Sequence, residues 1–326
     1  MDLLVSNAAR ERFGALLRTG LGDGKLLTPG EPGAEAAEVA WLSTDLFYGP
    51  EARDFFRTVA DAPGLAWLQS CAAGADLKIY ERLLRRGVRV TASHENAISI
   101  AEFVIGSVLR VSQAAEHFAE AQRAHRWAHQ DFDELAGTSW CLVGYGAIGQ
   151  RVAERAQAFG VSVTAVRRRP EPSPFATVVG LDGLAEAVSA AQVVVLARPG
   201  AAAEPPLVDD AFLRRLRPGS VLVNVARGNL IDEAALLRGL AESRPQFAIL
   251  DVFSTEPLPQ GHPFWDHPQV VVTPHAAAGG RGRYERNAAL LLANLERYRR
   301  GEPLPDELTL GDLPDSSAVP AQFRHD

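Results

Sequence analysis

The sequence is short of cysteine, of long apolar runs and of concentrated basic charge, and each shortage excludes a class of protein. Its 326 residues include two cysteines, Cys71 and Cys141, which provide no disulfide framework and suit a reducing compartment. No run of about 18 apolar residues is present, so no membrane span or membrane partner is expected. The N-terminus lacks a basic segment followed by an apolar core, so we expect no signal peptide and a cytoplasmic location.

Concentrated charge and metal ligands are equally scarce. The formal net charge is −7, and basic residues are dispersed apart from arginine runs at 167–169 and 299–300, so no nucleic-acid partner is expected. No Cys/His cluster has zinc-ligand spacing, and His262 and His267 are interpreted as loop residues, so no metal site is expected. The hydrophobic fraction of 47% and the length indicate a globular protein with about two domains.

Three glycines are the most informative feature that is present. Gly144, Gly146 and Gly149 have the G-x-G-x-x-G spacing of a dinucleotide site. The first allows a tight turn, the second lets the backbone approach a pyrophosphate, and the third brings a helix close to a strand. Cofactor contacts are therefore expected at these glycines and at Ala147 and Ile148, because a helix N-terminus offers free N–H groups and a positive dipole end.

The surrounding pattern favours a ligand site over a purely structural glycine turn. An apolar strand over Ser139–Val143 precedes the glycines, and Ile148–Phe159 has helical spacing. Gly160 follows as a C-cap, and Val161–Val166 alternates like a second strand. Together these segments predict one complete βαβ unit.

The end of the second strand carries arginines where an NAD site carries an acid. About 20 residues past the glycines, an NAD-binding chain places Asp or Glu on the ribose 2′-hydroxyl. This chain has Arg167, Arg168 and Arg169 there, and guanidinium groups suit a 2′-phosphate. We therefore predict a preference for NADP(H) over NAD(H), the alternative being a basic loop that faces water.

Strands and helices alternate along the whole chain, which predicts parallel sheets with helices on their faces. The predicted strands outside the βαβ unit are 3–5, 39–42, 65–69, 88–91, 193–196, 220–225, 247–250 and 270–273. Ala97–Phe118 is predicted to be one long connecting helix, and Tyr284–Arg300 a last helix that returns to the first domain. We divide the chain into a substrate domain, residues 1–97 with 283–326, and a dinucleotide-binding domain, residues 98–282.

Polar residues follow three successive strands of the second domain. Arg227, Glu256 and His275 each come shortly after a strand, and ligands bind at the carboxyl ends of such strands. Arginine can bind the carboxylate of a 2-keto acid and polarise its carbonyl. Histidine can protonate the new alkoxide, and a carboxylate on its other ring nitrogen orients the imidazole. Ala226 and Asp251, at the same strand ends, are predicted to contact the cofactor.

Each of these three residues alone could be an ordinary ion pair or a loop residue. Their coincidence after a nucleotide motif favours chemistry. In the first domain, small residues follow a strand, and the backbone N–H groups of Gly74 and Ala75 are predicted to bind the substrate carboxylate. A compact turn is the alternative for that loop, and Cys71 is interpreted as a small buried residue.

Six motifs resemble the D-isomer-specific 2-hydroxyacid dehydrogenase family. They are Ala73–Asp76, Ala101–Val104, Gly144–Gly149, Val223–Gly228, Leu250–Pro257 and Thr273–His275, in the family's order over about residues 65–280. The resemblance implies an α/β fold with a Rossmann doubly wound parallel sheet domain inserted into a flavodoxin-like substrate domain. It also implies catalysis by Arg227, Glu256 and His275, and a homodimer formed through the nucleotide domain. The chain departs from the family at Ala197–Glu204, where a threonine-bearing loop is usual.

The residues and the resemblance together predict an NADPH-dependent reductase. Its substrate is expected to be a small 2-keto acid, such as glyoxylate or hydroxypyruvate, and its product the D-2-hydroxy acid. A formate dehydrogenase on the same fold is an alternative, although that reaction needs no proton donor to an alkoxide. A nucleotide-sensing corepressor on the same fold is another alternative, which the complete catalytic set disfavours.

Overall fold

The described residues form two compact units. A computed structural model of the chain describes residues 1–47, 49–75, 77–198 and 204–313. The terminal unit contains the described residues of 1–96 and 280–313, and the central unit contains those of 97–279. These divisions lie at 96/97 and 279/280, beside the 97/98 and 282/283 boundaries expected from sequence. The assignment of substrate to one unit and nucleotide to the other stays a prediction.

The terminal unit is built on a five-stranded parallel sheet. Its strands are β1 (Leu3–Leu4), β2 (Leu26–Leu27), β3 (Val39–Leu42), β4 (Trp67–Ser70) and β5 (Arg89–Thr91). Their order in the sheet is β2-β1-β3-β4-β5. This is the flavodoxin-like order, in which the chain reverses direction across the sheet beside its first strand.

Helices cover both faces of this sheet because its strands are apolar on both sides. The helices are α1 (Asn7–Leu21), α2 (Ala52–Asp61), α3 (Lys78–Arg85) and α10 (Arg283–Arg299). Alternate strand residues point to opposite faces: Leu3 and Trp41 pack with α1 and α10, whereas Leu4 and Leu42 pack with α2 and α3. Helix α10 therefore completes the core of the unit that the first strand begins.

The central unit is built on a seven-stranded parallel sheet. Its strands are β6 (Ser139–Val143), β7 (Ser162–Val166), β8 (Thr177–Val179), β9 (Val193–Leu196), β10 (Val221–Asn224), β11 (Phe247–Leu250) and β12 (Val270–Val272). Their order is β12-β11-β10-β9-β6-β7-β8, which is the Rossmann order with one additional strand. The predicted α/β class, with a doubly wound parallel sheet, is confirmed.

Helices also cover both faces of the central sheet. They are α4 (Ala97–Ser112), α5 (Ala115–Arg123), α6 (Ala147–Ala158), α7 (Leu184–Ala190), α8 (Asp210–Arg215) and α9 (Glu233–Ala241). Residues of α4 and α6 pack with Leu142 and Val195, whereas those of α7, α8 and α9 pack with Cys141 and Val194. The alternation along β6 and β9 thus places one helical layer on each side.

The prediction of one helix over Ala97–Phe118 is wrong. The helix ends at Ser112 and a second one begins at Ala115, with a bend of 63° between them. Ala114 has a left-handed φ of 52°, and the carbonyl of Ser112 accepts a hydrogen bond from the Asp133 N–H at 3.0 Å. This long-range bond takes over a carbonyl that would otherwise serve the next helical turn.

Among the described helices, no single one has the length and apolar character needed to cross a membrane. The bent pair formed by α4 and α5 meets that criterion only when both helices are counted together, by length and composition.

Candidate active site

The three glycines lie where the central sheet changes direction. Gly144 follows β6, whose neighbours are β7 and β9, so it stands at the switch point where doubly wound sheets bind ligands. Its φ is 106°, and a Cβ there would lie 2.6 Å from the backbone of Ala197 and Arg198. Only glycine fits this position, because two polypeptide segments approach each other too closely for a side chain.

The second and third glycines leave the start of α6 accessible. A Cβ on Gly149 would lie 2.5 Å from the Gly144 carbonyl oxygen, so this glycine sets the distance between helix and strand. A Cβ on Gly146 would meet no described atom within 4 Å. Gly146 is also the N-cap of α6, and no described side chain caps that helix. The unshielded N–H groups at Ala147 and Ile148 fit the phosphates of a dinucleotide.

The three arginines at the end of β7 differ in their surroundings. Arg167 donates a backbone hydrogen bond to the Val179 carbonyl, and its guanidinium pairs with Glu171 at 3.3 Å. Arg168 and Arg169 are exposed, and neither pairs with a carboxylate in the described parts of the chain. Two guanidinium groups are thus available to an anion, whereas the third already has an acidic partner.

The strand ends that carry the predicted catalytic residues are adjacent and in register. Across β10, β11 and β12, Asn224 pairs with Leu250 and Leu250 with Val272. Arg227 follows three residues after Asn224, and His275 three residues after Val272. Parallel strands therefore bring distant parts of the chain to one edge of the sheet.

His275 and Glu256 are in direct contact. The distance between His275 Nδ1 and Glu256 Oε2 is 2.9 Å, and the Glu256 side chain is 10% exposed. An ionised carboxylate can only accept, so Nδ1 carries the proton of the neutral ring. The second oxygen of Glu256 accepts the Phe253 N–H at 3.0 Å, so the carboxylate is fixed on both sides.

Asp251 is buried and organises the turn that carries His275. Its Oδ1 accepts from the Thr273 hydroxyl at 2.6 Å and from the Ala276 N–H at 2.8 Å, and its Oδ2 accepts from the Ala277 N–H at 3.0 Å. The Asp251 carbonyl also accepts the N–H of His275, whose φ is 51°. With three donors on its carboxylate, Asp251 supports a positioning role. The predicted contact with a cofactor stays a prediction.

Arg227 is held by a buried asparagine. The Asn224 side chain accepts the Ala226 N–H at 3.1 Å and donates to the Arg227 carbonyl at 2.9 Å. The Arg227 guanidinium donates to the Ala226 carbonyl at 2.7 Å. Next in the chain, a Cβ on Gly228 would lie 1.8 Å from the carbonyl carbon of Phe253. The turn that carries Arg227 therefore packs directly against the segment that leads to Glu256.

In the terminal unit, Gly74 and Ala75 lie in the loop after β4. The start of this loop is fixed, because the Ser93 N–H donates to the Ala72 carbonyl at 2.9 Å. Gly74 and Ala75 are half-buried, and their N–H groups have no protein acceptor in the chain as described. Cys71 is buried, and burial raises the pKa of its thiol to about 12, so it is not a nucleophile at neutral pH.

Sequence reasoning missed several residues that shape this site. Asn224 and Thr273 hold Arg227 and His275, and a second carboxylate–imidazole pair, Glu233 and His262, lies beside the Glu256 segment. Asn224 had a detectable signal, since an amide in an otherwise apolar strand needs hydrogen-bond partners when buried. Residues 199–203 of the divergent Ala197–Glu204 loop lie outside the described residues.

A family model matches the part of the chain that contains most of this site. The NAD binding domain of the D-isomer specific 2-hydroxyacid dehydrogenases matches residues 105–277, about half of the chain. The chain belongs to the D-isomer specific 2-hydroxyacid dehydrogenase family. The resemblance expected from the six motifs is thereby confirmed.

Individual members of this family resemble the chain over different lengths. D-3-phosphoglycerate dehydrogenase of Mycobacterium bovis is 32% identical over 257 residues, which cover 78% of this chain and 48% of that protein. The chain thus spans about half the length of this relative. Glyoxylate/hydroxypyruvate reductase A of Serratia proteamaculans is 32% identical over 178 residues, covering 54% of this chain and 57% of that protein.

A solved structure of a family member extends the likeness to nearly the whole chain. The D-isomer specific 2-hydroxyacid dehydrogenase of Xanthobacter autotrophicus, in complex with NADPH and MES, is 26% identical and has a TM-score of 0.76. The match covers 94% of this chain and 97% of that one. Both units of the chain are therefore family features.

Proposed function

We propose that this chain catalyses the NADPH-dependent reduction of a small 2-keto acid to the D-2-hydroxy acid. The observation that carries the proposal is the 2.9 Å contact between His275 and Glu256, at a strand edge shared with Arg227. A proton donor, its orienting carboxylate and a cation are the groups that carbonyl reduction requires. Family membership and the names of relatives such as the glyoxylate/hydroxypyruvate reductase support this reaction class.

The residues would share the work as follows. A bound nicotinamide cofactor would supply the hydride. His275 would donate the proton on Nε2 to the substrate oxygen, since Nδ1 is committed to Glu256. Glu256 would stabilise the charged imidazole before transfer and keep the ring oriented. Arg227 would bind the substrate carboxylate.

The preference for NADP(H) over NAD(H) is proposed from the arginines after β7. Arg168 and Arg169 are exposed cations at the strand end where NAD sites carry an acid. The NADPH bound to the Xanthobacter autotrophicus relative supports this assignment. Arg167 is expected to contribute less, because Glu171 already neutralises part of its charge. Contacts from Gly144, Gly146, Ala147, Ile148, Gly149, Ala226 and Asp251 complete the proposed cofactor site.

Steady-state kinetics tests the proposal directly. The purified chain should reduce glyoxylate, hydroxypyruvate or phenylpyruvate, with a higher kcat/KM for NADPH than for NADH. Arg168→Gln and Arg169→Gln should lower kcat/KM for NADPH about tenfold or more and leave NADH nearly unchanged, because only NADPH carries the 2′-phosphate. Arg215→Gln, an exposed arginine on α8, is the matched control. Equal losses for both cofactors would contradict the phosphate assignment, and inactivity with every keto acid would contradict the reaction.

We also propose that the chain is a cytoplasmic homodimer assembled through the central unit. Three exposed aromatic side chains on or after α5 support this surface: Phe118, Trp127 and Phe132 are 38%, 104% and 53% exposed. Large exposed aromatic groups favour burial against a partner. Sedimentation analysis should give twice the monomer mass, and Trp127→Ser with Phe132→Ser should shift it toward the monomer. A monomeric parent chain would contradict the assembly.

A further inference from the structure

A second carboxylate–imidazole pair lies outside the proposed catalytic set of the central unit. Glu233 is the first residue of α9, and His262 immediately precedes the short turn Pro263–Trp265. The distance between His262 Nε2 and Glu233 Oε2 is 3.3 Å, and the two side chains are 18% and 23% exposed. Both residues are thus partly shielded from water and in contact with each other.

The surroundings of His262 fix which nitrogen carries its proton. The Phe264 N–H points at Nδ1, with a nitrogen–nitrogen distance of 3.3 Å, so Nδ1 accepts and has no proton in the neutral ring. Nε2 therefore carries the proton of the neutral ring, and it lies 3.3 Å from the carboxylate of Glu233. The His262 ring also packs against the fully buried ring of Phe264, with centroids 4.6 Å apart. The Phe264 N–H and the Phe264 ring together fix the orientation of the His262 imidazole beside Glu233.

The other oxygen of Glu233 reaches the segment that leads to Glu256. Glu233 Oε1 accepts the Ser254 N–H at 3.0 Å. One residue earlier, the Phe253 N–H donates to Glu256 Oε1. Two consecutive amides of this segment are therefore bound by two different carboxylates.

The same peptide also contacts the turn that carries Arg227. A Cβ on Gly228 would lie 1.8 Å from the carbonyl carbon of Phe253 and 2.4 Å from the nitrogen of Ser254. A displacement of the Phe253–Ser254 peptide would therefore move the Phe253 N–H, which donates to Glu256. It would also bring the peptide closer to Gly228, the residue after Arg227. Close-packed segments transmit such a shift because there is no free space to absorb it.

We propose that Glu233 and His262 are positioning residues that hold the Phe253–Ser254 peptide, and through it Glu256, in the geometry needed by His275. This inference rests on the proposed reaction, in which Glu256 orients the proton donor. Neither residue needs to touch substrate or cofactor for this role. Their effect is exerted on turnover, because misplacement of a catalytic group slows the chemical step even when ligands still bind.

The decisive variant is Glu233→Gln, which keeps the size of the side chain but replaces one carboxylate oxygen with an amide donor. If its oxygen accepts from Ser254, its amide group opposes the N–H of His262, and the reverse orientation opposes Ser254. Either way two donors face each other. His262→Phe keeps an aromatic ring beside Phe264 and removes the imidazole nitrogen that contacts Glu233.

The matched control is Asp210→Asn. Asp210 accepts from the guanidinium of Arg238 at 2.8 Å, so this pair links α8 to α9 without touching Ser254. The control variant disturbs the same helix as Glu233→Gln and also removes one carboxylate charge. Thermal unfolding of every variant is the check that each one is folded under the assay conditions.

The kinetic test is a double-mutant cycle with Glu256→Gln. Glu233→Gln and His262→Phe should lower kcat about tenfold with KM for NADPH unchanged, and the control should retain full kcat. In the Glu256→Gln background, Glu233→Gln should change kcat by less than about twofold, because its effect passes through Glu256. Equal losses in both backgrounds, or no loss in the parent, would overturn the proposal.

A second measurement does not depend on activity. Hydrogen exchange of peptides covering residues 252–258 should be at least about tenfold faster in Glu233→Gln and His262→Phe than in the parent and in Asp210→Asn. Unchanged exchange would overturn the positioning role. If the parent chain lacks keto-acid reductase activity, the proposed reaction fails, while faster exchange would still show that the pair holds this peptide.

Discussion

The two units use buried polar groups in different ways. In the terminal unit, Gln69 accepts from Thr91 and from Asn294 at 3.0 and 2.7 Å, and every member of this cluster is neutral and nearly inaccessible. In the central unit, the corresponding strand ends carry Asp251 and Glu256, whose carboxylates receive donors from the chain 19 to 26 residues further on. Neutral amides and hydroxyls connect secondary-structure elements, whereas ionisable groups at a strand edge can also transfer protons.

This contrast separates stability from turnover. A neutral buried hydrogen bond contributes about 1 kcal/mol to the free energy of unfolding, and its groups do not exchange protons with a ligand. A carboxylate–imidazole pair that is partly exposed can transfer a proton to a ligand. Substitutions in the terminal cluster should therefore affect unfolding, and substitutions at the central edge should affect the rate of the reaction.

The largest expected effect is that of His275→Ala. Loss of the proton donor should lower kcat about 10²- to 10⁴-fold, because the alkoxide would have to be protonated by water. The affinity for NADPH, measured by fluorescence titration, and the free energy of unfolding should stay close to those of the parent. Unchanged turnover would remove His275 from the mechanism and would break the contrast between the units.

Asp251→Asn tests a residue that should affect both the free energy of unfolding and kcat. An asparagine oxygen can replace one carboxylate oxygen, but its amide group would then face the N–H of Ala276 or Ala277. We expect a loss of about 1–3 kcal/mol of unfolding free energy from this donor–donor contact. Displacement of the His275 turn should lower kcat about 10- to 100-fold.

The split between kcat and KM decides what Asp251 does. A change confined to kcat would indicate positioning of His275, which the hydrogen bonds of the carboxylate favour. A large rise in KM for NADPH would instead support the predicted cofactor contact. Thr273→Val, which removes one donor to Asp251, is a milder variant. It should change kcat and KM in the same proportion as Asp251→Asn, but by smaller factors.

Asn294→Ala should lower stability and leave turnover unchanged, which is the opposite of what we expect for His275→Ala. It removes the donor from α10 to Gln69, whose oxygen keeps the Thr91 hydroxyl as a partner. We expect the unfolding free energy to fall by about 1–2 kcal/mol in denaturant titrations. The kcat measured under native conditions should be unaffected, and a kcat loss larger than about tenfold would contradict a purely structural role for this cluster.

Glu307→Gln should have a smaller effect than any of these substitutions. The Arg89 guanidinium donates two 2.8 Å hydrogen bonds to Glu307 and thereby lowers the pKa of its carboxyl group below the ordinary value of 4.5. Because the folded pKa is depressed, the stabilisation is present above the unfolded pKa and is lost as pH falls through the folded pKa. Both side chains are about one-third exposed, so we expect at most about 1 kcal/mol at neutral pH.

Denaturant unfolding at two pH values tests the direction of this pH dependence. The parent should be more stable than Glu307→Gln at neutral pH, and the difference should disappear in acid strong enough to protonate the carboxyl group. Arg238→Gln, which breaks a more exposed ion pair with Asp210 in the central unit, should cost less. A larger cost for that variant would contradict the ranking of these pairs by exposure.

Much of the central unit could be predicted from the sequence because its signals are local. The glycine spacing, the apolar strand before it and the helical pattern after it lie within about 30 residues of each other. The predicted helix over Ile148–Phe159 appears as α6, shifted by one residue. Arg227, Glu256 and His275 could be proposed because each comes within six residues of the end of an apolar strand.

The remaining features depend on contacts that no local pattern reveals. Strands β2 and β8, which have two and three residues, are not among the predicted strands. The break at Ala114 depends on Asp133, which lies on the far side of α5 in the sequence. The hydrogen-bond donors to the Asp251 and Glu233 carboxylates also come from 21 to 26 residues downstream, so their roles become visible only when the strands are assembled.

The return of α10 to the first strands has a consequence for synthesis on the ribosome. Leu3, Trp41 and Trp67 pack against a layer that includes Leu291 and Leu295, which are translated about 200 residues after β5. At about 5–20 residues per second, the nascent terminal unit waits roughly 10 to 40 s for its last helix. During that interval the Trp67 ring, which stacks on Tyr298 of α10, has no partner from that helix, so a chaperone that binds aromatic surfaces has a defined target until α10 is made.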